Sequence, residues 1–169
     1  MTQMQALLQE LEHEAVSTRR TLERVPAGKH AWKPHEKSMT MGRLASHLAE
    51  IPEWATMTLL QDEFDMAPKG QKPHESLNLE SPAEIVAAFD RFLAEARAAF
   101  GKVQDAELAR PWTLKGGDQV YFTMPKGAVL RSFVFSHLVH HRAQLGVYLR
   151  MNDVPVPSVY GPSADESAM

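Results

Sequence analysis

Not one of the 169 residues is a cysteine, which removes disulfides, thiolate metal sites and cysteine nucleophiles together. Any chemistry must rest on histidine, carboxylate, hydroxyl or a bound ion. Long apolar runs are missing too: none approaches the roughly 18 residues that a membrane span needs. The opening MTQMQALLQELEHEAV lacks a basic stretch leading into an apolar block, so it reads as folded helix and not as a secretory signal. There is no excess of positive charge. Lys and Arg number 18 against 21 Asp and Glu, for a net charge of -3, which gives no electrostatic footprint for nucleic acid. Together these absences lead us to expect a cytoplasmic protein with no nucleic-acid or membrane partner. What remains is ordinary for a globular chain, 44% hydrophobic and 23% charged, of a length that suits one domain over residues 1–169.

Four stretches carry apolar residues at helical spacing. The first runs from about Thr2 to Arg24, with Met4, Leu7, Leu8, Leu11, Ala15, Thr18 and Leu22 on one stripe. A Pro- and Gly-containing connector over residues 25–37 follows, holding Trp32 and Pro34. The second helix starts at Ser38 or Thr40, either of which can cap it. Its stripe is Met41, Leu44, His47, Leu48, Ile51, Ala55 and Leu59, and it runs on to Leu60 with a kink expected at Pro52. Polar residues, Pro68, Gly70 and Pro73 mark 62–80 as a long loop, and Ser81-Pro82-Ala83-Glu84 is a capping box with proline at the first helical position. Helix three then carries Ile85, Phe89, Phe92, Ala96 and Phe100, with Gly101 stopping it. Between helices three and four, Val120-Tyr121-Phe122 allows a short strand or hairpin. The fourth helix spans about Lys126 to Arg150, and the proline-containing tail 152–169 cannot be helical at its prolines. The expectation is an all-α protein, a four-helix bundle whose long 62–80 loop permits a crossed connection.

The most informative run is His137-Leu-Val-His-His141. Residues four apart on a helix share a face, separated by about 6 Å along the axis. Two neutral imidazoles so placed can meet one metal ion at about 2 Å. Both lie on the apolar stripe of their helix, and His47 lies on the stripe of another. Several imidazoles on one core need a shared reason, because burying each without a partner costs a few kcal/mol. Metal coordination by His47, His137 and His141 supplies it. His140 with His137 is an alternative pair, but His140 drifts to the flank, so we place it beside the site or in a structural role. Leu138 stands where a zinc protease helix needs its glutamate. Gln144, one turn beyond His141, can hydrogen-bond a ligand or bound water. Arg142 is expected to point away into a surface or interface ion pair. His13, His30, His35 and His74 are expected to be solvated, and Trp54 and Trp112 to fill the core.

MGRLASHLAEI around His47, the run FSHLVHHRAQLGVYLR, the tail VPVPSVYGPSADE and the connector with Trp32 and Pro34 together resemble the DinB-like (DinB/YfiT-like) metalloprotein superfamily. In order, these segments span nearly the whole chain, although the sharp matches cover about a third of it. The resemblance implies a four-helix bundle with a crossed connection, a divalent metal on the histidines at positions 47, 137 and 141, and a homodimer. It also implies transfer of low-molecular-weight thiols for some members and metal-dependent hydrolysis for others. Ser136 and Ala143 depart from the family's frequent asparagine and glycine without removing a ligand.

Two readings of function follow. In the first, three neutral imidazoles leave the ion its charge and an open position for a small-molecule substrate, either a thiol or water. Glu50 and Glu53 lie off the His47 stripe, so no general base stands out, and this favours thiol S-transfer in stress response or detoxification over hydrolysis. In the second, the bundle is non-catalytic and binds metal or ligand, with His140 closing a structural site. Zinc or nickel suits such a donor set best, with iron, copper or manganese as alternatives.

Overall fold

The computed structural model describes residues 1–167. Its frame is four helices. α1 covers Gln3–Glu23 and starts with a capping box, Thr2 accepting from the Gln5 backbone while the Gln5 side chain answers the Thr2 N–H. α2 covers Met41–Leu60, and Thr40 is the cap. It continues as helix through the buried Pro52, as its periodicity requires. α3 covers Pro82–Phe100 behind the Ser81/Glu84 capping box. The fourth helix is built in three consecutive pieces: α-helical Lys126–Val129, π-helical Leu130–Ser136 and α-helical His137–Arg150. Helical backbone at both junctions makes it one rod, here called α4. Apolar periodicity gives no sign of the π stretch.

An all-α description is incomplete, because a small three-stranded sheet sits between the helices. β2 (Pro111–Gly116) and β3 (Gln119–Pro125) form an antiparallel hairpin, and β1 (Glu63–Asp65) pairs in parallel with β2. The hairpin turns on Gly117-Asp118, where Gly117 takes a φ of +60°. Glu63–Asp65 falls inside the stretch read as loop. Three residues carry no periodicity, and their partner Thr113–Lys115 lies far along the chain, so only tertiary pairing makes them a strand.

The main core joins all four helices through Leu11, Leu22, Leu44, Leu48, Ile51, Leu59, Ile85, Phe89, Leu130, Val134 and Leu145, each wholly or almost wholly buried. Each such side chain contributes about 1.5–3 kcal/mol of hydrophobic stabilisation. A smaller core under the sheet centres on Trp112, which is fully buried as expected of core filler. Lys126, 1% exposed, fastens the sheet side of α4. Its ammonium lies 2.6 Å from Glu107, 3.0 Å from Asp62 and 3.3 Å from the Leu59 carbonyl. The non-helical tail is held by its acids: Glu166 reaches Arg20 and Arg24 on α1, and Asp165 accepts from the Val156 N–H. No helix among the described residues is long and apolar enough to cross a membrane.

Candidate metal centre

Facing stripes of α2 and α4 bring three distant histidines together. Leu44, Leu48 and Ile51 seat one helix in the core, while Val134 and Leu145 seat the other. The imidazoles of His47, His137 and His141 fill the remaining space between them. Their ring centroids lie 5.0, 4.6 and 4.5 Å apart for the pairs 47–137, 47–141 and 137–141. One ligand atom from each falls within 4.8 Å of the others. His47 Nε2 is 3.0 Å from His137 Nε2.

Two of the outward nitrogens are engaged. His47 Nδ1 donates to Glu50 Oε1 at 2.7 Å, and His141 Nδ1 donates to Gln144 Oε1 at 2.7 Å. The Phe133 backbone, one turn back, favours the charged form of the His137 ring. Donation from Nδ1 leaves the Nε2 lone pairs of His47 and His141 free, and His47 Nε2 faces His137 Nε2. The facing pair at 3.0 Å holds either a shared proton or a cation between its two nitrogens. Tetrahedral ligands at about 2.1 Å from an ion sit about 3.4 Å apart, so this spacing needs little adjustment. The donor set therefore fits a divalent cation with three imidazole ligands.

Electrostatics agree with that arrangement. Burial is the main cause pushing His137 down to about 4, helped by the neighbouring His141, His47 and His140. Burial likewise pushes His141 down to about 4, against the hydrogen bond to Gln144. Both rings stay neutral, the only form that can donate a lone pair to a metal. Burial alone would raise Glu50. The hydrogen bonds from His47 and the Leu77 N–H and the Arg43 charge outweigh it, and the carboxyl is held below its ordinary range. Glu50 is thus an ionised acceptor for His47 Nδ1–H, for Arg43 Nη2 at 3.2 Å and for the Leu77 N–H at 2.8 Å.

His47, His137 and His141, singled out by their stripes, are brought together here, and His140 is not among them. It is exposed and packs edge-on against His141 at 4.8 Å. Gln144 meets a histidine, as its one-turn spacing allowed. Arg142 overturns its surface assignment: it is 3% exposed, pairs with Glu14 at 2.7 Å and donates to the Tyr160 hydroxyl at 2.6 Å. The stripe reading fails there because α1 covers the flank of α4, so the helix is buried on two sides. His30 is also not simply solvated. Its ring packs where Gly42 has no side chain, and its Nε2 is enclosed without a partner. His13, His35 and His74 are exposed as expected. Sequence reasoning misses Glu50 because it lies off the His47 stripe. Its i+3 spacing from a histidine is the available signal.

The sequence pattern of the DinB family matches residues 1–168, and the chain belongs to that family. Uncharacterized protein YrdA of Bacillus subtilis (strain 168) is 26% identical over 161 residues, covering 95% of this chain and 90% of that protein. Among solved structures, a DinB-like protein from Bacillus cereus ATCC 10987 superposes with a TM-score of 0.68 at 23% identity, over 92% of this chain and 97% of that one. The DinB-like protein YjoA from Bacillus subtilis gives 0.67 at 16% identity, over 97% and 99%. At these identities the two structures establish a shared fold.

Proposed function

We propose that this protein is a divalent-metal enzyme that uses His47, His137 and His141 as ligands and transfers a low-molecular-weight thiol to an electrophilic small molecule. The observation that carries this reading is the convergence of three histidine ligand atoms within 4.8 Å of one another, with His47 and His141 each held by an acceptor on Nδ1. A bound divalent ion would lower the pKa of a thiol or water at its open position to near neutrality. The protein's part is to hold three neutral rings and leave that position free. His140 stands outside the cluster, so a fourth imidazole does not close it. Structural zinc sites usually have four protein ligands, which weighs against a purely structural metal.

Hydrolysis is the second reading. It calls for a base beside the attacking water, and Glu50 is a poor candidate because three donors already occupy it. In thiol transfer the sulfur bonds the electrophilic carbon, the leaving group departs with its electron pair, and the thiol proton passes to solvent. No resident base is required once the thiol ionises at neutral pH. In the same reading residues 1–169 act as one domain, the helices form a crossed four-helix bundle, and two copies pair in the cytoplasm with neither nucleic acid nor membrane as partner. Zinc or nickel is the preferred ion.

The test is metal analysis of untagged wild type beside His47→Ala, His137→Ala and His141→Ala, followed by a screen of thiols against electrophiles. One ion per wild-type chain, lost in each variant together with thiol conjugation, supports the proposal. Full metal content in all three variants refutes it.

A further inference from the structure

The long connection between β1 and α3 has no regular structure over residues 71–80, yet it is tied down at specific points. The His74 N–H donates to the Met66 carbonyl at 2.8 Å, and its ring lies 5.2 Å from Phe64. The Leu77 N–H donates to Glu50 Oε2 at 2.8 Å, and the Leu79 N–H donates to Ser46 Oγ at 2.9 Å. Ser46 and Glu50 flank His47 on α2, one residue before it and three after. The residues from Gln71 to Ser76 are exposed, so little apolar packing holds this part of the segment. Leu79 packs against the main core, the stretch before it is docked by those backbone hydrogen bonds, and the carboxylate accepting one of them also holds a histidine of the metal centre.

We propose that the 74–80 segment is a working part of the metal centre: metal on the three histidines orders it through Glu50, and its docking tightens the metal in return. This rests on the metal reading above. The two carboxylate oxygens divide the labour, Oε1 taking His47 Nδ1–H and Oε2 taking the Leu77 N–H. Metal on His47 Nε2 fixes the ring and polarises its Nδ1–H toward Oε1, which pins the carboxylate in the one orientation that also serves Leu77. Without a cation, the two Nε2 atoms meet only as an N–H···N bond, and a proton placed on His47 Nε2 for that bond is taken from the Nδ1 that donates to Glu50. Any swing of His47 removes the partner that fixes Glu50. Coupling of this kind is reciprocal, so the factor by which metal favours docking is the factor by which docking favours metal.

Zinc alone serves as the probe, with the full chain in solution. Its dissociation constant is measured by chelator competition for wild type and Leu77→Pro, a change that deletes the donating N–H and leaves Glu50 and all three histidines intact. Amide exchange of the 74–80 segment in wild type is followed with and without zinc. The expected results are a roughly tenfold weaker zinc site in the variant and exchange at Leu77 slowed by a similar factor when zinc is bound, the lower end of the roughly 10–100-fold seen for outer partners of metal ligands. Zinc binding to wild type with unchanged or faster exchange at Leu77 overturns the coupling while leaving the metal site standing. So does a variant that binds zinc as tightly as wild type. Wild type that binds no zinc overturns the metal reading itself.

Discussion

Lowering the pH tests the centre most directly, because protons and metal compete for the same lone pairs. A histidine with the ordinary value of 6.5 is mostly neutral at pH 7 and about 3% neutral at pH 5, so it weakens a metal site about 25-fold over that interval. Three such ligands would together lose about four decades. Here His137 and His141 are held at about 4 by burial and by their histidine neighbours. Each remains about 90% neutral at pH 5 and contributes a loss of only about 10%. These two ligands together therefore account for much less than a twofold fall in zinc affinity between pH 7 and pH 5. Chelator competition at pH 7, 6 and 5, corrected for the chelator's own protonation, measures this. A fall greater than about a thousandfold refutes the argument that burial keeps these rings neutral. The same shifts set the stability of metal-free protein. Their folded values lie below the unfolded 6.5, so the unfolded chain binds more protons between the two. Stability from these groups is complete above pH 6.5 and is lost as pH falls toward 4.

Three substitutions extend the test. Arg142→Ala leaves Glu14, 8% exposed, as a buried carboxylate without its cation, and should cost about 3–5 kcal/mol in urea unfolding. A loss below about 1 kcal/mol would place the pair among weak surface contacts. Glu50→Gln puts an amide N–H₂ where only donors converge, so zinc affinity should drop about 10–100-fold while one ion still binds at saturation. Unchanged affinity would mean that Glu50 does not hold His47 for the metal. His140→Ala should leave both stoichiometry and affinity as in wild type, and loss of the ion would restore the closed, four-ligand structural reading.

Local chemistry made much of this chain readable from its letters. Thr2 with Gln5, Thr40, and Ser81 with Glu84 cap helices where the side chains can reach free backbone N–H groups, and apolar spacing carries α2 through Pro52. The same spacing put His47, His137 and His141 on buried stripes, because a histidine on an apolar face is visible in one dimension. Contacts between elements were not visible in that way. Parallel pairing of Glu63–Asp65 with β2, the cover that α1 lays over Arg142, and the π-helical stretch that leads into His137 each depend on partners far along the chain or on a change of helical pitch. Sequence determined the apolar stripe that each helix turns toward the main core, since that follows from about 3.6 residues per turn. Only the packing of α2 against α4 decided that the three histidines meet, and only the path of the 71–80 segment placed a backbone N–H on Glu50, the acceptor that orients His47.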